Sequence, residues 1–489
     1  MASLAAAQTS SWEREVVYQI FPRSFYDSNG DHIGDLGGIT QKLGYLRSLG
    51  FTAVLINPIF ASRMYHNYFA DDFLKVDPSL GTNREFFELV RQAHRRRMKV
   101  ILDMEVQYVA DLHPWFKAVE RDPKSPVAEM IWMKGSKLFG DKLPGYDGQK
   151  IGFATLNPDS SMLKREVLKV FRYWADPDGN PSHGVDGFRI DHMMDDLDSQ
   201  HVKTGMLKNF WLPIEQQIRH LNPSVLFLAE QSDWGFGADV FAKGKVDAVY
   251  AIPLRYAWMT FDKPKIEKAL QATMAATPAG KTQFDFLENH DVERYASVVK
   301  RDPSLLRLGA VFNLTLKGTP LVYYGQELGM QGIQGKWGTD ANDIPVRLAY
   351  RWTRKVGGAG SADFYRNSGP WARSGFTRDN DGVSVEEEIG KPDSLLSFYK
   401  RLVRLRQSNP ALQSGSFALA DTHSAHVLGY ERVLGKLTVL VLLNLSDKSE
   451  TVPLATSRRG WRDLWSGDRV SGPTATLGPH GFKIVEFRS

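Results

Sequence analysis

Four acids stand where paired-carboxylate chemistry is possible. Asp103 ends the run KVILDM, Asp191 ends GVDGFRID, Glu230 ends VLFLAE, and Asp291 follows FLENH. If these short apolar runs are neighbouring strands, acids far apart along the chain meet at one end of a sheet. Like charges gathered in this way are costly unless a cation pairs with them or chemistry uses them, because burial and repulsion push their pKa values apart. Arg189, two residues before Asp191, shares a strand face with it and can supply that cation. Two chemistries suit such a cluster: glycosidic-bond cleavage by paired carboxylates, or a divalent-metal site. The second calls for several histidines or a denser set of acids, and only His290 lies beside the cluster with a clear strand-end placement. The chain also carries 12 Trp and 17 Tyr, which favours a sugar that needs flat apolar platforms.

The elements that must position these acids recur eight times. Strand-like runs occupy Val16–Phe21, Thr52–Asn57, Val100–Met104, Val185–Asp191, Val225–Glu230, Val246–Ile252, Gln283–Asn289 and Pro320–Tyr324. Amphipathic stretches lie between them, at Gly38–Leu49, Asn83–Arg97, Met162–Ala175, Gly205–His220 and Pro303–Leu316. The alternation predicts an α/β fold, a closed (β/α)8 TIM barrel with its functional groups at the C-terminal strand ends. An open doubly wound sheet would have fewer strands and a glycine-rich first turn. Residues 107–161 are too long and aperiodic for a βα loop and predict an inserted subdomain after the third strand. Gly325–Pro392 is polar and Gly-rich and is expected to fold over the barrel mouth, followed by a helix at Ser394–Arg406. Beyond it, runs such as LTVLVLLNL and HGFKIVEFR predict a C-terminal antiparallel β domain. The expected division is barrel over 1–106 and 162–409, subdomain over 107–161 and β domain over 410–489.

Composition narrows the function classes. Of 489 residues, 42% are hydrophobic and 24% charged, which is ordinary globular usage. A net charge of +5 on this length points to no nucleic-acid partner, and the basic run His94–Lys99 reads as a helix end favoured by the dipole. The absence of cysteine excludes disulfides, thiol catalysis and cysteine-held metals. No apolar run approaches 18 residues, so no membrane span is expected. Met1–Ser10 lacks the basic and apolar regions of an intact signal peptide. It fits either the remnant of a removed signal, in a periplasmic or secreted protein, or a frayed cytoplasmic terminus.

GFRIDH, FLAEQ and ENHD, in this order on eight βα units, closely resemble the α-amylase superfamily of retaining α-glycosidases. The resemblance extends through YQIFPRSF, GDLGGITQKLGYLRSLG, INPIF, GTPLVYYGQELGM and VSVEEEIGKPDSLLSFYKRL. It implies that Asp191 is the nucleophile, that Glu230 is the acid/base, and that Asp291 grips sugar hydroxyls and favours the distorted ring. Arg189 and His290 would bind the nucleophile and the sugar. Tyr68, in HNYFADD, matches the tyrosine that stacks under the sugar at the cleaved bond. Phe69 stands where many exo-acting glucosidases carry an aspartate, and an aromatic there is closer to chain-cleaving amylases. The implied substrates are α-1,4-linked malto-oligosaccharides or starch-like α-glucans, with no organic cofactor. An exo-α-glucosidase, a 4-α-glucanotransferase and a disaccharide isomerase share the covalent intermediate and stay open. So does a non-catalytic sugar-binding relative, which would typically lack the nucleophile or the acid.

The chain departs from the family pattern at the third strand. D-x-x-x-N-H is here Asp103-Met-Glu-Val-Gln107-Tyr108. Tyr108 replaces a histidine that contacts the sugar, and its phenol could donate the same bond. Gln107 replaces an asparagine that often ligates calcium, and Thr155 an aspartate, so that calcium site is expected to be empty. A different calcium site is expected in the loop DSNGDHIGD, where Asp27, Asn29, Asp31 and Asp35 space their oxygens much as an EF-hand loop does, and the resemblance implies that the carbonyl of Ile33 joins them. His192, bulky where relatives carry a small or branched residue, bears on linkage choice.

Overall fold

The computed structural model describes residues 11–135, 137–373, 375–454, 460–470 and 472–488. Met1–Ser10, and with them the reading of the N-terminal segment, lie outside the described residues. Each of the eight apolar runs forms a strand: β1 (Val17–Ile20), β2 (Ala53–Ile56), β3 (Lys99–Met104), β4 (Gly187–Met193), β5 (Leu226–Gln231), β6 (Ala248–Tyr250), β7 (Thr282–Asp285) and β8 (Thr319–Tyr323). All pair in parallel with their sequence neighbours, and β8 returns to β1 to close the barrel. Alternate residues divide between two buried layers, as the strand period of two requires. Val17, Leu55, Ile101, Leu228, Phe284 and Leu321 fill the interior. Tyr18, Val54, Val100, Phe188 and Phe227 face the helices outside.

Local chemistry sets the element ends. Leu36–Leu49 is capped by Asp35, which accepts from the Gly38 N–H, and stops at Gly50 with φ +111°. Asn83–Arg95 opens on a capping box between Thr82 and Glu85. Three strands end two or more residues away from the sequence expectation. β6 stops at Tyr250 because Pro253 sits in the first turn of the helix Ile252–Trp258, where a missing N–H costs nothing. β7 stops at Asp285 because the Glu288 and Asn289 side chains accept from the N–H groups of Tyr295 and Asp291, turning the chain. β4 runs past Asp191 to Met193 through a bulge, with Ile190 opposite Ala229 and Met193 opposite Gln231.

Between β3 and β4, Tyr108–Ala110, Lys142–Pro144 and Lys150–Thr155 form a three-stranded antiparallel sheet. After the helix Leu395–Ser408, a five-stranded antiparallel sheet includes Val427–Leu434, Leu437–Asn444 and Phe482–Arg488. Two buried arginines, one on this helix and one in the sheet, hold the C-terminal region to the floor of the barrel. The helix Pro303–Thr315 ends there, and its last carbonyls have no partner within the helix. Arg406 donates to the carbonyls of Leu314, Leu316, Gly318 and Glu13 at 2.6–3.0 Å. Arg432 donates to those of Thr315, Leu316, Leu412 and Gly415 at 2.6–3.0 Å. Arg432→Met fills the same space and strands these carbonyls, each worth about 1–3 kcal/mol when buried and unpaired. Thermal unfolding should show a loss of about 3 kcal/mol or more with activity kept below the transition, and an unshifted transition would refute the clip.

Candidate active site

The barrel brings the distant acids to one mouth. Asp103, at the end of β3, lies opposite Arg189 of β4, and Glu230 ends β5 on the other side. The Arg189 guanidinium is 1% exposed and donates to three carboxyls. Its Nη1 meets Asp103 Oδ1 at 2.8 Å and Asp191 Oδ1 at 2.5 Å, and its Nη2 meets Glu230 Oε2 at 2.7 Å. Holding Asp191 and Glu230 on the two ends of one planar fork puts their carboxyls side by side, as retaining pairs about 5–5.5 Å apart require.

One cation cannot neutralise three acids. Burial raises Asp103 to about 6 and Glu230 to about 7, with Arg189 opposing both shifts. Asp191 is raised as well, by burial first, and Arg189 again opposes. Unlike the other two it keeps 18% of its side chain open to the cleft. The cluster therefore holds a proton near neutrality, and Glu230 is the acid best placed to keep it.

Asp291 lies on the facing rim, where Arg347 Nη2 meets its Oδ1 at 3.0 Å and His290 Nε2 its Oδ2 at 3.1 Å. His290 is buried, and burial followed by Arg347 lowers its pKa well below the usual value, so the ring is neutral. Its Nδ1 lies 2.9 Å from the Gln19 amide nitrogen and is the acceptor, which leaves Nε2–H to donate to the Tyr68 hydroxyl at 2.7 Å. The Tyr68 hydroxyl donates to Asp103 Oδ2 at 2.6 Å, and its ring stacks on His290 at 5.8 Å and 5°.

Asp191, Glu230, Asp291, Tyr68 and Arg347 line a cavity of about 600 Å3 with Phe69, Tyr108, His192, Trp234 and Asp343 among its walls. A hollow of similar size, about 610 Å3, opens beside Arg301 and Glu388 and contains none of the four acids, so volume alone does not mark the site. Phe69 packs on Tyr108 and Phe153 at 5.3 and 5.0 Å, forming an apolar wall. Tyr108 is placed differently from the expectation: its phenol donates to Asp198, which also accepts from Thr155 Oγ1, so it is not free for a sugar. The calcium-loop residues also behave differently. Asp27 accepts from the N–H groups of Asn29, Gly30 and His32, Asn29 from Asp31, Asp31 from Ile33, and Asp35 from Ser28 and Gly38. Each side chain turns to the backbone of its own loop, and no three His, Asp or Glu side chains among the described residues are grouped to hold a metal.

Sequence reasoning missed Arg347, Asp343, Glu105, Asp198 and Trp234. Only Arg347 left a signal, as the cation four residues after Asp343 in NDIPVR, where the two now pair at 3.2 Å. The others sit on loops or single 3-10 turns, too short for a period to apply.

A parallel barrel with an acid cluster at its C-terminal mouth defines a glycosidase-type cleft. A family model described as "Alpha amylase, catalytic domain" matches residues 19–233 and 238–415, and one described as "Maltogenic Amylase, C-terminal domain" matches 417–484. The chain belongs to the alpha-amylase family of glycoside hydrolases and is a retaining α-glycosidase. Alpha-amylase 3 of Dictyoglomus thermophilum is 29% identical over 89% of this chain and 85% of its own length. An oligo-1,6-glucosidase of Heyndrickxia coagulans is 26% identical over 96% and 98%. The crystal structure of alpha-amylase from H. orenii superposes with a TM-score of 0.81 at 27% identity, covering 97% of this chain and 99% of that one.

Replacing Arg189 by Met leaves three buried carboxyls without their cation. Breaking a buried ion pair in this way typically costs about 3–5 kcal/mol. Thermal unfolding of Arg189→Met should show a loss of that order together with lost turnover, and a variant of unchanged stability would contradict the electrostatic role.

Proposed function

We propose that this chain hydrolyses α-1,4-glucosidic bonds of malto-oligosaccharides or starch-like α-glucans through a covalent glucosyl-enzyme. The observation that supports it best is the unequal state of two carboxyls on one guanidinium, Asp191 partly open to the cleft and Glu230 buried and pushed up to about 7. Asp191 attacks the anomeric carbon while the bond to the leaving oxygen breaks, and Glu230 gives that oxygen its proton. Water then attacks the same carbon, returns a proton to Glu230 and frees Asp191, so the sugar leaves as the α-anomer. Asp291, with Arg347 and His290 behind it, receives sugar hydroxyls, and the Tyr68 ring offers a face to the sugar on the Asp191 side. Trp234, four residues after Glu230, is 37% exposed and stacks with Tyr256, 44% exposed, at 6.1 Å. Of the two, Trp234 is among the walls of the cleft, so a flat apolar face is available there to a sugar ring.

Glu230 must be protonated for the first step and Asp191 ionised. The kcat/KM of the free enzyme should therefore fall as pH rises through about 7, and fall again on the acid side as Asp191 takes up its proton. Asp191→Asn should lose turnover while keeping its fold, and Glu230→Gln should lose at least about 10²-fold and the alkaline limb with it. Chromatography of maltoheptaose digests separates the candidate activities. Maltose and larger products support the reading, single-glucose release indicates exo attack, and products longer than the substrate indicate transfer. A β-anomer appearing first would sink it.

The loop of Asp27, Asn29, Asp31, Ile33 and Asp35 is the proposed seat of a structural calcium ion. Its donors are all hard oxygens, which suits calcium, and a carboxylate oxygen that accepts one N–H keeps a second lone pair. The ion would brace the turn after β1 and take no part in the chemistry. Calcium added after chelation should raise the unfolding temperature of the wild type and leave Asp31→Ala unmoved, and an equal response of the two would remove calcium from this loop.

A further inference from the structure

We propose that Gln107 is a positioning residue for the catalytic pair: its carboxamide pins both main-chain carbonyls of the Asp191–His192 bulge and thereby keeps the His192 N–H on Glu230. The inference rests on the reading of Asp191 and Glu230 given above and deepens it. At the bulge two residues of β4, Asp191 and His192, face one residue of β5, so the regular ladder cannot pair both of their carbonyls. Gln107 Nε2 meets the Asp191 carbonyl at 3.2 Å and the His192 carbonyl at 3.1 Å. His192 itself stands at φ +45°, a conformation that a residue with a Cβ keeps only where its surroundings enforce it. From that position its N–H donates to Glu230 Oε2 at 3.1 Å.

The strut is anchored at its own end. Gln107 is 3% exposed, its N–H donates to Glu105 Oε1 at 2.5 Å, and its carbonyl accepts from the Leu156 N–H at 2.8 Å. It ties the segment after β3 and the inserted sheet to the main chain of the nucleophile. A side chain one methylene shorter would not span the same gap.

The groups that set the charge around Glu230 are Arg189, Asp103, Asp191, Asp291, the His192 ring and Tyr250. A substitution at position 107 removes none of these charges and acts on them only through the main chain of Asp191 and His192. An N–H donated to a carboxylate favours its charged form, so losing the His192 bond makes Glu230 easier to protonate. Gln107→Leu, nearly the same shape without donors, should lower kcat on the order of 10²-fold with KM little changed, because misplacement of reacting groups acts on the transition state. Its alkaline limb should move to higher pH. Gln107→Asn, which keeps an amide but shortens it, should show both effects and serves if the leucine variant does not fold. Adding His192→Gly to Gln107→Leu should restore part of kcat, since glycine takes φ +45° without support.

An unchanged kcat, a fall in kcat with the alkaline limb unmoved, or no recovery with glycine would each overturn the strut. Wild-type turnover with its loss in Asp191→Asn tests the catalytic assignment separately, so failure of that assignment is not confused with failure of this one.

Discussion

One buried guanidinium shared among three carboxyls is the constraint on which the site is built. Arg189 cannot neutralise Asp103, Asp191 and Glu230 together, and of the three only Asp191 keeps a sizeable part of its side chain open to solvent. The remaining charge is relieved by a proton, which makes one carboxyl an acid at the pH where its neighbour is a nucleophile. A parallel barrel suits this arrangement because strands adjacent in sequence are adjacent in space. β3, β4 and β5 thus deliver an acid, a cation with an acid, and another acid at nearly the same height.

The loops supply what strands cannot. The segment after β8 sends Arg347 back across the mouth to Asp291 and Asp343, fixing the far rim by charge. The Tyr68 ring and the neutral His290 stack between the two rims, so the acids of one side and those of the other share a rigid aromatic partition. Where the ladder of β4 breaks, side-chain amides take over the work of main-chain pairing.

Much of this was legible in the sequence. The runs before Asp103, Asp191 and Glu230 are apolar throughout because both faces of their strands are covered, and this uniformity made the strands and the positions of the acids readable. Strand ends were less so: β7 stops where Glu288 and Asn289 bond forward, a local competition that no period reveals. Tyr108 was read as a sugar donor because the residue it replaces is one. Its partner Asp198 lies 90 residues away on a loop with φ +52°, beyond the reach of local reasoning. Arg347 leaves a local signal in its spacing from Asp343, but its reach to Asp291 is a tertiary contact that no local pattern shows.

The two arginines beneath the barrel bear on the order in which the molecule is made. Carbonyls at 314–318 finish the last helix before β8, yet the guanidiniums that satisfy them come from positions 406 and 432. On the ribosome, the barrel can close its ring of strands about a hundred residues before its underside is sealed. Until the helix that carries Arg406 and the strand that carries Arg432 have emerged, those oxygens have only water to pair with.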